Sequence, residues 1–434
     1  MKIIIAGAGI GGLQAAKLLA AKGHDVTIYE KLAEGELGQD WYEDIDYKLF
    51  NDIKIKLPEG SYRAENVNLV PPFTDDYIEI EIPKDQRKWR VNRKKFIEQM
   101  LNDAVEKGAK IVYSTPCRKL IIKGERVGGV VAGANKDKLY CDLVIDACGI
   151  NSPLRKSLPD EFGVTKEPGE DEYYSAFRGV FDTYPDMPIP KQKKKLFVKF
   201  MGQPGFSRVI CEPGDKVDVF VSKMGRMSRF EFETLFRQLR IENQIIGYED
   251  LVRGVFAKIP VRYPLTKMVV DGYVAVGDSA FMNAQMLGNG IADSVRAGQM
   301  LGETINEADS PAARSLWKYQ VSYFKQIAYE RFLVDIMRRM LLKSKSDEIR
   351  FLLEGGFLTK EEIKTVVLGK GIIFSVKFII DKFGVGRKKF KLYSELIKVL
   401  KTGKAAMDTA KQIPAKYDNA KINAWQKKIE KFYK

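Results

Sequence analysis

The chain holds one histidine, His24, and four cysteines in 434 residues, with no C-x-x-C pair. That scarcity removes the material for a zinc site or a Ser-His-Asp triad, so no metal site is expected. It also excludes a disulfide scaffold and points to a reducing compartment. Cys141 and Cys148 sit on or beside apolar strands and read as core residues, and His24 reads as a turn residue. No uninterrupted apolar run approaches the ~18 residues of a membrane span. "MKIII" passes straight into a strand, which leaves no room for a signal peptide. A cytoplasmic protein is expected, and its chemistry must come from a bound cofactor. Repeats and low-complexity segments are also missing.

What is present starts at the first residue. Ile3, Ile4 and Ile5 form a β-branched run with no polar face, as expected of a parallel strand covered on both sides. Gly7, Gly9 and Gly12 follow as G-x-G-x-x-G, with Gly11 beside the last. An Ala/Leu-rich helix runs to about Lys22, and a second strand, Val26 to Tyr29, ends at Glu30 and Lys31. Strand, glycine turn, helix, strand and then an acid is the dinucleotide-binding order. The glycines allow the backbone to approach a pyrophosphate at the helix N-terminus, and the Glu30 carboxylate suits a ribose hydroxyl. An acid there favours FAD or NAD over NADP.

Two later segments discriminate between them. "LYCDLVIDACGINSPLRKSL" places a strand before Asp146, followed by Gly149, Ser152 and Arg155. More than a hundred residues on, "VAVGDSAFMNAQMLGNGI" ends a strand in Gly277-Asp278 and then turns through Gly288-Asn289-Gly290. A second strand-plus-Asp station so far from the glycine loop suits a long extended cofactor. Asp278 is the candidate partner of a ribityl chain, and the amides at Gly290 and Ile291, opening the next helix, face a flavin's pyrimidine end. The three stations resemble those of the FAD superfamily that includes p-hydroxybenzoate hydroxylase, and within it geranylgeranyl reductase-like flavoproteins. The resemblance covers roughly the first three hundred residues. It implies FAD as the cofactor and carries a FAD role onto Arg93, in "WRVNRKKFIEQM", and onto the backbone at Cys117.

The chain also departs from that family. The loop "KLAEGELGQDWYEDIDYKLF" is acidic and aromatic, with no cysteine. Where the family shows Tyr-x-Trp-x-Phe-Pro, this chain places Phe206, Arg208 and Ile210, and Gln285 stands where a proline commonly precedes the last glycines. Trp41 and Tyr42 suit either a flavin cover or plain packing.

The whole reads as an α/β protein: a Rossmann-like FAD-binding domain, an antiparallel-sheet substrate domain and a C-terminal helical region. The expected boundaries are 1–160 and 265–309 for the FAD-binding domain, 161–264 for the sheet, and 310–434 for the basic helical region. Alternating stretches such as "KLFVKFMG" carry the sheet, where Arg208 and Cys211 lie either toward a cavity or on an exposed and a core face. Net charge is +15, with lysines dense from Arg387 to Lys434. "RKKFKLYSELIKVLK" places Phe390, Tyr393, Ile397 and Leu400 on one helical face, which suits an anionic membrane surface or a solvated helix packed on the domain. Peripheral attachment at the inner face of the membrane is therefore an alternative to a free cytoplasmic protein. No nucleic-acid module accompanies the charge. The resemblance implies reduction of carbon–carbon double bonds in an isoprenoid or other apolar substrate, with a ferredoxin-like protein or NAD(P)H as electron donor. A monooxygenase of the same superfamily and a flavoprotein electron carrier remain open. No catalytic side chain is identifiable.

Overall fold

The computed structural model describes residues 1–184, 186–283, 290–368 and 376–433, without the side chains at 248–250, 376, 377 and 379. Strand β1 (Lys2–Ala6), helix α1 (Ile10–Ala21) and strand β2 (Asp25–Tyr29) follow the order read from the sequence. They belong to a six-stranded sheet ordered Val269–Val270, Tyr273–Ala275, Leu143–Asp146, β1, β2, Lys110–Val112. Every neighbouring pair is parallel except the first. Ile3, Ile4 and Ile5 are buried because both faces are covered, which is why β1 needs no polar positions. The helix Ile291–Glu307 packs on α1 at a close crossing, where a Cβ on Gly298 would lie 2.2 Å from the Gly11 carbonyl oxygen.

A seven-stranded sheet forms the second layer, ordered Ile246–Pro260, Tyr173–Thr183, Lys216–Met224, Phe206–Glu212, Lys194–Val198, Val67–Val70, Ile78–Ile80. Its last two strands come from the first 160 residues, and Val67–Val70 pairs in parallel with Lys194–Val198. Alternation along Lys216–Met224 sorts its two faces. Val217, Val219 and Val221 pack with Leu235 and Leu239 of the helix Arg229–Glu242. Asp218 and Phe220 point the other way. Ser228 and Glu231 close a reciprocal cap on that helix, fixing where it starts.

The C-terminal region is helical, as expected. Ala313–Tyr323 runs through a π turn at Phe324–Ala328 into Tyr329–Lys343, and Phe390–Lys411 packs along that last helix. The final helix, Asn419–Glu430, places Ile422, Trp425 and Ile429 in the same core as β1. The Trp425 indole NH donates to the Thr409 carbonyl at 2.8 Å, and its ring meets Phe324 edge-on at 5.1 Å. From Leu392 to Ile429 the helices therefore pack on the body and are not a separate surface tail. The expected apolar face is partly redrawn: Tyr393 and Leu400 are buried together with Leu392 and Leu396, while Phe390 turns outward. Helical geometry gives the strip at 392, 393, 396 and 400 to the core and leaves 390 beyond its edge. Among the described residues, no helix is long and apolar enough to cross a membrane.

Removing a buried indole leaves a large void. Trp425→Ala is expected to lower unfolding stability by roughly 3–5 kcal/mol in urea denaturation. A loss under about 1 kcal/mol, within the range of ordinary surface substitutions, would mean that this helix is not a working part of the core.

Candidate cofactor cleft and substrate cavity

The glycine loop is shaped first by its neighbours. Gly7 has φ of +86°, and a Cβ there would lie 2.8 Å from the Ala147 carbonyl oxygen. Its amide donates to the Tyr29 carbonyl at 2.8 Å. Glu30 is buried at the end of β2 and accepts from the Ala8 amide at 2.7 Å and the Leu32 amide at 2.9 Å. Its carboxylate thus clamps the loop, and any ribose hydroxyl would use lone pairs left over from that clamp. Lys31 is exposed. Gly9 is the N-cap of α1 and Gly290 that of Ile291–Glu307, and neither gives its helix a side-chain cap. The Gly11–Gly298 crossing holds these two helices together, each with uncapped N-terminal amides, the arrangement that receives anionic oxygen atoms. Gln285 and the Gly288-Asn289 half of the expected turn lie outside the described residues.

Asp146 does something the sequence reading missed. It is wholly buried, with no reach to a ligand, and gathers donors from three segments. Its oxygens accept from the Cys148 amide at 3.0 Å, the Ser152 hydroxyl at 2.5 Å, the Tyr273 phenol at 2.8 Å and the Ser279 hydroxyl at 3.0 Å. Burial, and then the neighbouring Asp146, pushes the Tyr273 phenol well above its ordinary range, so it stays a donor. Arg155, also fully buried, donates to the carbonyls of Ser279 at 2.6 Å, Lys166 at 3.0 Å and Ile150. Its guanidinium lies 4.5 Å from the Phe281 ring centre. Asp146 and Arg155 are therefore a latch around residues 277–281.

Asp278 lies inside that latch. It keeps partial access to solvent. Desolvation pushes its carboxyl up to about 6, and the cations Arg93 and Arg155 oppose the rise. Arg93 opens the helix Arg93–Glu106 behind Asn92, whose side chain accepts from the Lys95 amide at 3.1 Å. The Arg93 amide donates to the Trp41 carbonyl at 2.8 Å, and its guanidinium is 3.3 Å from Glu43. Cys117 is buried at the start of its strand, near Glu30. Burial, with Asp146 and Glu30 adding to it, pushes its thiol up to about 12, so only its backbone is available for chemistry.

Against the seven-stranded sheet lies a buried ion network. Asp218 accepts from Arg178 Nε at 3.0 Å and a terminal nitrogen at 2.7 Å, and from Arg90 and Arg208 at 3.2 Å each. Burial works to raise the Asp218 carboxyl, and Arg178, Arg208 and Arg90 outweigh it, holding it well below the usual range. Glu43 joins the network to Arg93 by accepting from Arg178 at 2.7 Å. Trp41 is buried under the Arg178 guanidinium, 4.4 Å from the ring centre, and the Tyr42 carbonyl accepts from Arg178 at 2.5 Å. Both aromatic residues therefore pack within the network. Arg208 faces this side of the sheet, whereas Cys211 is buried in the core under the opposite helix. The only sequence sign was a set of charges at single strand positions, which look the same whether they face water or each other.

Farther along the same sheet face the lining becomes apolar. Phe220, 5.6 Å from the Arg208 guanidinium, stacks at 4.9 Å on Phe206, which borders a cavity between the sheet and the C-terminal helices. Leu196, Val198 and Tyr174 line it from the sheet, and Leu341, Leu352 and Tyr393 are among the helical residues opposite. Counting the solvent at its mouth, it holds about 1360 Å³ of open space. Those walls suit an apolar chain; a small polar substrate would leave its hydrogen-bonding groups without partners.

Residues 5–45 match the NAD(P)-binding Rossmann-like domain family. Over 99% of its length the chain is 22% identical to 96% of the digeranylgeranylglycerophospholipid reductase of Sulfolobus acidocaldarius. Its fold is similar to a geranylgeranyl bacteriochlorophyll reductase-like protein from Thermoplasma acidophilum. The TM-score is 0.73 and the identity 16%, over 92% of this chain and 98% of that one. A flavin-dependent brominase aligns with a TM-score of 0.62 and 16% identity, over 91% of this chain and 99% of that one. The resemblance read from the motifs extends over the whole chain, C-terminal helices included, and the mixed α/β architecture is that of flavin-dependent enzymes. These likenesses support an oxidoreductase.

The raised Asp278 carboxyl has a measurable consequence. Between its ordinary value of 3.8 and about 6, the folded chain keeps a proton that the unfolded chain releases. This group's contribution to stability therefore falls as pH climbs through that window. Without ligand, Asp278→Asn is expected to raise Tm at pH 7 and to flatten the pH dependence between pH 4 and about 6, followed by thermal denaturation. A variant less stable at pH 7 would show that the fold itself needs the carboxylate.

Proposed function

We propose that the chain is a FAD-dependent oxidoreductase that reduces carbon–carbon double bonds of an isoprenoid chain, in a geranylgeranyl-type lipid or its precursor. The observation that carries this reading is the apolar cavity between the seven-stranded sheet and the C-terminal helices. The full-length similarity to digeranylgeranylglycerophospholipid reductase supports it.

The residues present fit FAD. The amides of Gly9, Gly11 and Gly12 at the start of α1, reached past Gly7, would take the pyrophosphate. Glu30, with Lys31 beside it, would take the adenosine ribose, and the backbone at Cys117 would lie along the adenine. Arg93 and Asp278 would hold the ribityl-pyrophosphate span, and the amides at Gly290 and Ile291 would face the pyrimidine. Asp278 is suited to this because ligand hydroxyls replace the water it loses, stabilising its ionised form. When bound, reduced flavin supplies a hydride to one alkene carbon while a proton reaches the other. The protein's share is to align the chain and keep water out, which the apolar walls do. The electrons would come from a ferredoxin-like protein or NAD(P)H, and the reaction would take place in the cytoplasm.

The purified protein is expected to be yellow and to release FAD on denaturation. Asp278→Ala removes a charge-assisted hydrogen bond worth about 1.5–3 kcal/mol, so FAD affinity should fall roughly 10- to 150-fold. Under anaerobic conditions with a chemical reductant, geranylgeranyl-bearing lipids should gain one H2 per reduced bond by mass spectrometry. A colourless protein that ignores added FAD, or turnover that requires oxygen, would overturn this reading.

A further inference from the structure

The apolar cavity is walled on one side by Phe378 and Tyr393, and the chain carrying them continues onto the outer surface. On the helix Val376–Gly386, Ile380 is 66% exposed and Phe383 53%, and Phe390, just beyond, is 63% exposed. Large apolar side chains this exposed are costly in water and here cluster within eleven positions. The Phe383 ring lies 6.0 Å from that of Tyr393, so the outward patch touches the cavity wall.

Cations surround the patch. From residue 376 to 401 the sequence has eight Lys or Arg against two acids, Asp381 and Glu395. Lys382 and Lys389 are committed to Glu362 and Asp347. Arg387, Lys388 and Lys391 are exposed beside Phe390. Single apolar anchors separated by exposed cations are the chemistry of a helix lying in the headgroup layer of an anionic bilayer. A symmetric contact with a second copy would set this excess of positive charge against itself.

We propose that the face formed by Ile380, Phe383, Arg387, Lys388, Phe390 and Lys391 docks the protein on an anionic lipid bilayer and opens the apolar cavity toward it. Docking rests on this surface alone; its use for loading an isoprenoid chain rests on the function proposed above. An interfacial helix buries its apolar side ~5–10 Å into the headgroup boundary, deep enough for acyl or prenyl chains to reach a cavity opening beside it. The membrane contact thus falls on residues 380–391, while the later part of the basic region belongs to the core.

The test uses full-length protein with its flavin and vesicles of phosphatidylglycerol mixed with phosphatidylcholine, compared with phosphatidylcholine alone. Wild type is expected to float with the phosphatidylglycerol vesicles and to lose that binding as salt is added. The double variant Ile380→Asp, Phe383→Asp should bind at least tenfold more weakly, and Arg387→Glu, Lys388→Glu, Lys391→Glu should lose the preference for the anionic lipid. Unchanged Tm and flavin absorbance identify folded variants. Turnover of a detergent-solubilised substrate should stay at the wild-type level in the double variant, while turnover of vesicle-embedded substrate drops. Wild type that ignores phosphatidylglycerol vesicles, variants that bind as wild type does, or a wild-type dimer that the double variant dissolves would overturn the docking face. Vesicle binding without any reductase activity would leave the docking face standing and remove the function.

Discussion

The structure turns on the buried carboxylate of Asp146. Taking a carboxyl group out of water is costly unless its oxygens are hydrogen-bonded, and here four donors serve them. Those donors come from the turn after its own strand, from the neighbouring strand at Tyr273 and from the segment carrying Asp278. Ala147, one residue on, presents its carbonyl to the glycine loop so closely that only glycine fits at positions 7 and 9. One carboxylate therefore fixes the distance between the loop that opens α1 and the turn at Asp278. Arg155 adds a second tie to the same segment from its other side. A ligand spanning the two would meet a pre-set gap, with no ordering cost left for the protein.

Much of this was legible in the sequence where one residue type suffices to report a local geometry. Ile3 to Ile5 announce a strand covered on both faces, and Gly7 a backbone conformation closed to other residues. The alternation around Val217 to Val221 gave the second sheet. Asp146 was read as a ligand station because a buried hub and a ligand carboxylate look alike at a strand's end; only the positions of Ser152, Tyr273 and Ser279 separate them. The ion network was not legible for a similar reason. Arg90, Arg178 and Asp218 occupy strand positions as distant as 128 residues, and nothing local says that they meet. The apolar residues of the C-terminal helices announced packing but not the space left between them and the sheet.

The face of the seven-stranded sheet is divided in its chemistry. One end carries Asp218 and its three arginines, the other Phe206, Leu196 and Val198. Buried ion pairs are a weak source of stability, because desolvation takes back most of the Coulomb gain. What the network adds is direction. Arg178 grips Asp218 through two nitrogens and Glu43 through a third, which fixes the charged end of the face in one orientation.

The two strands that the seven-stranded sheet borrows from the first 160 residues bear on how the chain is made. Val67–Val70 must wait for Lys194–Val198, some 125 residues downstream, before its hydrogen bonds can form. β1 waits longer for its full sheet, since Tyr273–Ala275 must be synthesised first, and Ile422, Trp425 and Ile429 reach the shared core only with the last helix. The seven-stranded sheet can be completed only once Pro260 has emerged and the six-stranded sheet only after Ala275. During translation the early apolar strands are open edges exposed to neighbouring chains. Long-range strand pairing thus ties completion of the shared core to the last helix of the chain.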